Sequence, residues 1–106
     1  MIYVDNLKSR QVIGAHEIYV GRKMPGHPGS PLGNPFKENR KDAIAKFRIW
    51  LWEQIKANSP ASKELKRIAT FATQFDIVLL CWCAPEPCHA EVIRNAAMWM
   101  IRNEKI

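Results

Sequence analysis

Cysteine and histidine cluster in the segment Cys81–His89, whose sequence is CWCAPEPCH. Within it, Cys88 follows Pro87 at the predicted start of the last helix, where free backbone N–H groups and the helix dipole favour anions. A thiol at such a position has its thiolate stabilised and can act as a nucleophile. The His89 imidazole can shuttle a proton near neutral pH or donate a hydrogen bond to a phosphate. We therefore predict that Cys88 and His89 are catalytic residues and that both contact the ligand.

The same cluster also permits a zinc site, because thiolate and imidazole groups are common zinc ligands. The two strand cysteines alternate and face the same side, whereas two adjacent residues at a helix start diverge by about 100°. A disulfide is the weakest interpretation, because three cysteines leave one unpaired and the chain has a cytoplasmic character. We predict no metal, keep zinc as the alternative, and place Cys83 among the ligand-binding residues. The four candidate zinc ligands have the spacing C-x-C-x4-C-H, which is not one of the usual two-knuckle zinc patterns. They are Cys81, Cys83, Cys88 and His89.

A second group of polar residues lies in the segments YVGR (Tyr19–Arg22) and SPLGNPF (Ser30–Phe36). The Arg22 guanidinium is a planar fork that fits a phosphate or a carboxylate. Asn34 follows Gly33, and its amide can bind a base edge or a sugar hydroxyl, or cap its own turn. We predict that Arg22, Gly33 and Asn34 bind the ligand together with the cysteine and histidine residues.

The elements that must position these residues follow from hydrophobic periodicity and from breaker residues. Four prolines within the stretch 22–39 exclude a helix there, and the apolar Leu32 and Phe36 predict an ordered loop that packs down. Asp42 is the predicted cap of the first helix, and Ser59 is the predicted cap of the second. The predicted strands are Met1–Val4, Glu17–Gly21 and Asp76–Cys83, and the predicted helices begin at Lys41, at Pro60 (ending near Thr73) and near Cys88.

The order β, β, loop, α, α, β, α predicts a small Rossmann-like α/β fold, in two or three layers, with a short and mostly parallel sheet. The uninterrupted apolar run Ile77–Cys83 is typical of a strand buried on both faces, which favours a central position and parallel pairing with the second strand. A length of 106 residues predicts a single domain, 1–106. Both polar segments follow strand ends, and ligands bind at this edge of open α/β sheets.

Taken together, YVGR, GNPF and CWCxPxPCHxxVI resemble a phage and bacterial family known only as a domain of unknown function, DUF4326. The resemblance extends over about residues 18–97. The chain departs from the family's pattern at Ala90, where members usually have glycine or aspartate, and in a longer stretch between YVGR and GNPF. The C-x-P-x-x-C-H part is loosely similar to a second uncharacterised family, whose box continues with arginine. The resemblance implies a compact Rossmann-like domain with a site formed by both boxes, and it implies no particular reaction.

Sixteen lysines and arginines against ten acidic residues give a formal net charge of +6, which favours polyanions such as nucleic acid or a phosphorylated small ligand. We expect a nucleotide or a related phosphorylated ligand in the crevice, and hydrolysis or group transfer on that ligand if the protein is an enzyme. The alternative is a basic, non-catalytic module that binds nucleic acid or protein. The sequence identifies no cofactor.

The expected location is the cytoplasm, without a membrane partner. No apolar run approaches the ~20 residues of a membrane span, and the N-terminal segment MIYVDNLKSR does not resemble a secretory signal. The last helix carries more apolar side chains than one side needs, so a homodimer contact is predicted through Met98–Ile101.

Overall fold

Three parallel strands form a small sheet in the computed structural model, which describes residues 1–10, 12–37, 39–82 and 88–105. Strand β1 spans Ile2–Asn6, β2 spans Glu17–Tyr19 and β3 spans Ile77–Cys81. The strand order is β1-β3-β2, so β3 is central and pairs in parallel with both neighbours. The predicted central position of β3 and its parallel pairing with β2 are confirmed.

Apolar side chains at alternate strand positions create the face of the sheet that packs against the helices. In β3, Ile77 and Leu79 have no exposed surface, and Cys81 is buried on the same face. The register places Ile2 beside Ile77 and Ile18 beside Leu79, so the neighbouring strands extend this apolar face. These side chains either belong to the main core cluster or pack against it.

Three helices cover this face: α1 spans Arg40–Ala57, α2 spans Pro60–Ala72 and α3 spans His89–Arg102. Helix α2 packs against α1 and α3, and α3 contacts β1 and β3. The helices contribute Phe47 and Leu65, neither of which has exposed surface, to the core cluster. Helices and sheet together form the small α/β fold with a short parallel sheet that the sequence predicts. In the described ranges, no helix has both the length and the apolar character to span a membrane.

Part of the opposite face of the sheet is covered by the chain that follows β1. A 3-10 helix at residues 7–9 buries Leu7, and Leu80 of β3 is fully buried outside the main core cluster. The Arg10 guanidinium crosses this face, donating to Asp5 of β1 at 3.1 Å and to Glu17 of β2 at 2.6 Å. With the helices on one face and this short segment on the other, the domain has two main layers.

The first strand is longer than predicted. The expected end at Val4 was wrong, because the two polar residues that follow it find partners within the sheet. Asp5 accepts from Arg10, and the Asn6 side chain donates to the Trp82 carbonyl at 3.1 Å, beyond the end of β3. These bonds satisfy polar groups that would otherwise favour a turn.

The other two strands are shorter than predicted. Strand β2 ends at Tyr19 instead of Gly21, because the Gly21 carbonyl accepts from the Ser30 N–H of the following loop at 3.0 Å. Strand β3 ends at Cys81. Cys83, the predicted end of that strand, lies outside the described residues.

Helix α1 begins at Arg40, one residue earlier than predicted, and its N-cap is Asn39 instead of Asp42. The Asn39 side chain accepts from the Asp42 N–H at 3.1 Å, so Asp42 lies in the first turn, where its negative charge suits the helix dipole. The predicted cap of α2 is confirmed, since the Ser59 hydroxyl accepts from the Ser62 N–H at 3.3 Å.

The apolar side chains at the end of α3 are partly accounted for within the chain. Met100 is buried in the core, and the Trp99 ring packs edge-on against Trp52 of α1, with 5.6 Å between the ring centroids. Trp52 itself remains 49% exposed. The homodimer contact through Met98–Ile101 stays a prediction.

Candidate functional site

A cavity of about 470 Å³ opens at the carboxyl ends of β2 and β3. Its wall comes from the residues after β2, the end of the long loop, the first turns of α1 and the start of α3. Trp82, which directly follows β3, also lines it. The cavity therefore lies at the edge of the sheet where the sequence predicts a ligand.

Arg22 holds the end of the long loop against the exit of β2. Its Nε donates to the Asn34 carbonyl at 2.5 Å, and one Nη donates to the Phe36 carbonyl. The guanidinium fork predicted to hold a phosphate thus directs two of its five N–H groups to the backbone of the cavity wall. The side chain is exposed and still lines the cavity, so its positive charge acts there.

Asn34 and Gly33 fit the loop closely against its neighbours. The Asn34 side chain accepts from the Phe36 N–H at 2.9 Å and donates to the Ala43 carbonyl of α1 at 3.3 Å. Asn34 thus caps its own turn, which is one of its two expected roles, while it lines the cavity. A Cβ at Gly33 would lie 3.0 Å from the Gly21 carbonyl oxygen, so glycine permits the close approach of loop and strand end. Gly33 does not itself line the cavity, but it allows the lining loop to pack closely against the end of the strand.

The His89 ring is held in one orientation. Its Nε2 lies 2.8 Å from the Val20 carbonyl oxygen, and the ring packs edge-on against Phe47 at 5.1 Å between centroids. Burial lowers the pKa of His89; the hydrogen bond to Val20 opposes this shift, and the positive charge of Arg22 adds to it. Since a carbonyl only accepts, Nε2 carries the proton of the neutral ring and Nδ1 carries the lone pair.

Cys88 is the N-cap of α3, immediately before the first turn in which it was predicted to lie. It forms a capping box with Glu91, whose carboxylate accepts from the Cys88 N–H at 3.4 Å. Its Sγ lies 3.5 Å from Nδ1 of His89. Cys88 is only 2% exposed, yet it lines the cavity together with His89. Cys88 also belongs to the core cluster, so an almost fully buried thiol lies beside an imidazole and a helix N-terminus at the edge of the cavity.

Two aromatic side chains that sequence reasoning did not select also line the cavity. The Trp82 indole donates to the Tyr19 hydroxyl at 3.2 Å, and that hydroxyl donates to the Arg22 carbonyl at 2.6 Å. The Tyr19 ring lies over Gly21, where a Cβ would collide with it. Tyr19 belongs to the YVGR box and Trp82 to the CWC box. Their position in these boxes is the sequence signal that could have identified them as site residues.

The ionisable residues that line the cavity, apart from Tyr19, Cys88 and His89, are all cations. No carboxylate lines it among the residues the structure describes. Two of the cations, at positions 37 and 40, were not predicted as ligand-binding residues, because their distance from the strand ends becomes visible only after folding. The cations are Arg22, Lys23, Lys37 and Arg40.

Four of the six predicted ligand-binding residues line the same cavity. They come from three separate parts of the chain: the exit of β2, the end of the long loop and the start of α3. Gly33 lies behind the wall, and Cys83 falls outside the described residues. The four are Arg22, Asn34, Cys88 and His89.

Three of the four candidate zinc ligands are among the described residues. Within residues 1–10, 12–37, 39–82 and 88–105, no group of three or more histidine, cysteine or acidic side chains is placed to hold a metal ion. Cys81 belongs to the core face of β3, and Cys88 and His89 are adjacent at the cavity. Because Cys83 is not described, zinc binding stays a prediction.

The fold and the cavity define a small parallel α/β domain with a cationic cleft at the ends of two adjacent strands. The chain belongs to the family described as Domain of unknown function (DUF4326), whose model matches residues 5–99. The family that the sequence predicts is thereby confirmed. No curated protein and no solved structure gives a significant match to this chain.

Proposed function

We propose that the cavity binds a nucleotide or a related small phosphorylated ligand. The observation that carries this proposal is the charge of the lining: four cations and no carboxylate among its described residues. A concave surface lined by one sign of charge concentrates its electric field and attracts ions of the opposite sign. The N-terminus of α3, a helix of 14 residues, adds partial positive charge at the same wall.

The size and the remaining chemistry of the cavity suit such a ligand. A volume of about 470 Å³ falls within the range of small-molecule sites. The rings of Tyr19 and Trp82 give the cavity an aromatic side, on which a nucleobase can stack. Cationic and aromatic groups therefore share one cavity, which matches a ligand with a phosphate at one end and a flat ring at the other.

Isothermal titration with three probes tests the proposal: inorganic phosphate, adenosine 5′-monophosphate and adenosine. We expect the monophosphate to bind at least about tenfold more tightly than adenosine, a difference of about 1.4 kcal/mol. Tighter binding of the monophosphate than of inorganic phosphate would further support stacking on the aromatic side. Equal binding of monophosphate and adenosine, or no binding of any phosphate, would contradict the proposal.

Charge variants locate the binding site. Lys37→Gln and Arg40→Gln should each weaken monophosphate binding about five- to tenfold, because each removes one cation from the cavity wall. Lys63→Gln and Lys66→Gln are matched controls, since both lysines are exposed on α2 and neither lines the cavity. Equal losses in the two pairs would mean that only the net charge matters.

The same variants test the alternative of a basic nucleic-acid-binding module. Single-stranded DNA that binds with a steep loss of affinity in salt, and that responds equally to all four variants, would favour that alternative. A phosphorylated small ligand held in the cavity should respond to the cavity pair only.

A further inference from the structure

We propose that Cys88 and His89 form a nucleophile and base pair that hydrolyses a phosphate monoester bound in the cavity, through a phosphocysteine intermediate. This inference rests on the proposed function, because the phosphate must first be held by the cationic wall. It adds a reaction, a substrate class and separate roles for two side chains. Three structural observations support it: the orientation of the imidazole, the position of the thiol and the charge around them.

The first observation is the orientation of His89. Its Nε2–H is committed to the Val20 carbonyl, 2.8 Å away, so the neutral ring presents the lone pair of Nδ1 to Cys88. The Phe47 ring, packed edge-on, helps to prevent the imidazole from turning over. An oriented base beside a nucleophile, with a third group that fixes the base, is the usual arrangement for nucleophilic catalysis.

The second observation is the position of the Cys88 thiol. Its Sγ is 3.5 Å from Nδ1, a distance at which a thiol can donate its proton to the lone pair. Cys88 is the N-cap of α3, and its carbonyl oxygen accepts from the backbone N–H of Glu91 at 3.1 Å, so the thiol lies at the start of the helix. A helix N-terminus favours the charged thiolate over the neutral thiol.

The third observation concerns the charges near the pair. Arg22 lies close enough to influence His89, and the other cations of the wall belong to the loop end and to α1. Glu91 of α3 is the one carboxylate bonded to Cys88 among the described residues, and it is held by the Cys88 backbone N–H. The cations favour a bound phosphate and a thiolate, whereas Glu91 works against the thiolate and Arg22 works against the protonated form of His89.

In the first half of the reaction, Cys88 transfers its Sγ proton to Nδ1 of His89. The thiolate attacks phosphorus, the P–S bond forms, and the P–O bond to the ester oxygen breaks. The leaving oxygen takes the bonding pair and the proton from Nδ1. In the second half, Nδ1 takes a proton from water while the water oxygen attacks phosphorus. The P–S bond breaks, inorganic phosphate departs, and the sulfur recovers its proton from Nδ1.

The test uses para-nitrophenyl phosphate and the full chain. Wild-type protein should release para-nitrophenol, and an acid-quenched sample should carry one extra phosphoryl group by intact mass. Cys88→Ser should abolish that adduct and reduce turnover at least about 100-fold. Its fold should remain, because serine is a preferred N-cap residue. Its affinity for inorganic phosphate should stay within about twofold of wild type.

Two further variants separate the roles of the pair. His89→Gln places an amide N–H where Nε2 stands, so the Val20 contact can persist while the base is lost, and turnover should fall about 100-fold or more. Cys81→Ala, which removes a buried thiol on the core face of β3, should retain turnover and the adduct.

The outcomes distinguish this inference from the proposed function. Wild-type protein that binds inorganic phosphate but forms no adduct and no para-nitrophenol would overturn the inference and leave the proposed function intact. Full turnover in Cys88→Ser would also overturn it. Wild-type protein that binds no phosphate at all would refute the proposed function, and this inference with it.

Discussion

The Arg22→Lys variant would measure how much the stability of the cavity wall depends on a guanidinium group and not on positive charge alone. Arg22 donates from Nε to the Asn34 carbonyl and from Nη to the Phe36 carbonyl, and so joins the exit of β2 to the end of the long loop. A lysine ammonium retains the charge but has no planar fork with which to reach both carbonyls. The substitution therefore removes at least one of two bonds without changing the net charge.

The expected cost follows from these two contacts. A hydrogen bond that involves a charged group contributes about 1.5–3 kcal/mol when it is well shielded from water. Arg22 is an exposed residue, so the loss from Arg22→Lys should be about 1–2 kcal/mol in the free energy of unfolding. For a domain of this size, that loss corresponds to a fall of roughly 5–10 °C in Tm.

Urea and thermal unfolding followed by circular dichroism would measure this loss. Arg102→Lys is the matched control, because Arg102 is an exposed residue in the last turn of α3, where either cation suits the helix dipole. A free energy of unfolding for Arg22→Lys within about 0.5 kcal/mol of wild type would refute the argument that the guanidinium holds the loop.

Two further predictions concern the same wall. Because burial lowers the pKa of His89 from 6.5, the unfolded chain binds this proton more readily than the folded chain. The stability from this residue should therefore be complete above about pH 7 and fall as the pH drops below 6.5, by at most about 1.4 kcal/mol per pH unit. Urea unfolding between pH 5 and 7.5 should show this slope, and a difference from His89→Gln that stays constant with pH would contradict it. Gly33→Ala should cost about 1–3 kcal/mol, because its Cβ would lie 3.0 Å from the Gly21 carbonyl oxygen. Gly14→Ala, whose Cβ would lie 3.2 Å from the Glu17 carboxylate instead of from backbone, should cost less in the same assay, and equal losses would show that contact with the Gly21 backbone is not responsible.

Much of the fold could be predicted from local patterns. The apolar run of β3 predicted a central strand, and Ser59 followed by Pro60 predicted the start of α2, because these signals depend on residues that are neighbours in the chain. Boundaries were less accurate where a distant partner decides them. Asn6 stays within β1 because of a bond to Trp82, 76 positions away in the sequence.

Residue types and their order along the chain show which side chains could form a site and that two boxes follow strand ends. They could not determine what each side chain would be used for, because that depends on distances between remote parts of the chain. Arg22 and Asn34 turn much of their hydrogen-bonding capacity to the backbone of the wall itself. The His89 lone pair faces Cys88 only because folding brings the Val20 carbonyl to Nε2. Tertiary structure likewise gathered the cations of four chain positions around one cavity, since only close packing of loop, strand end and helix start brings such charges together.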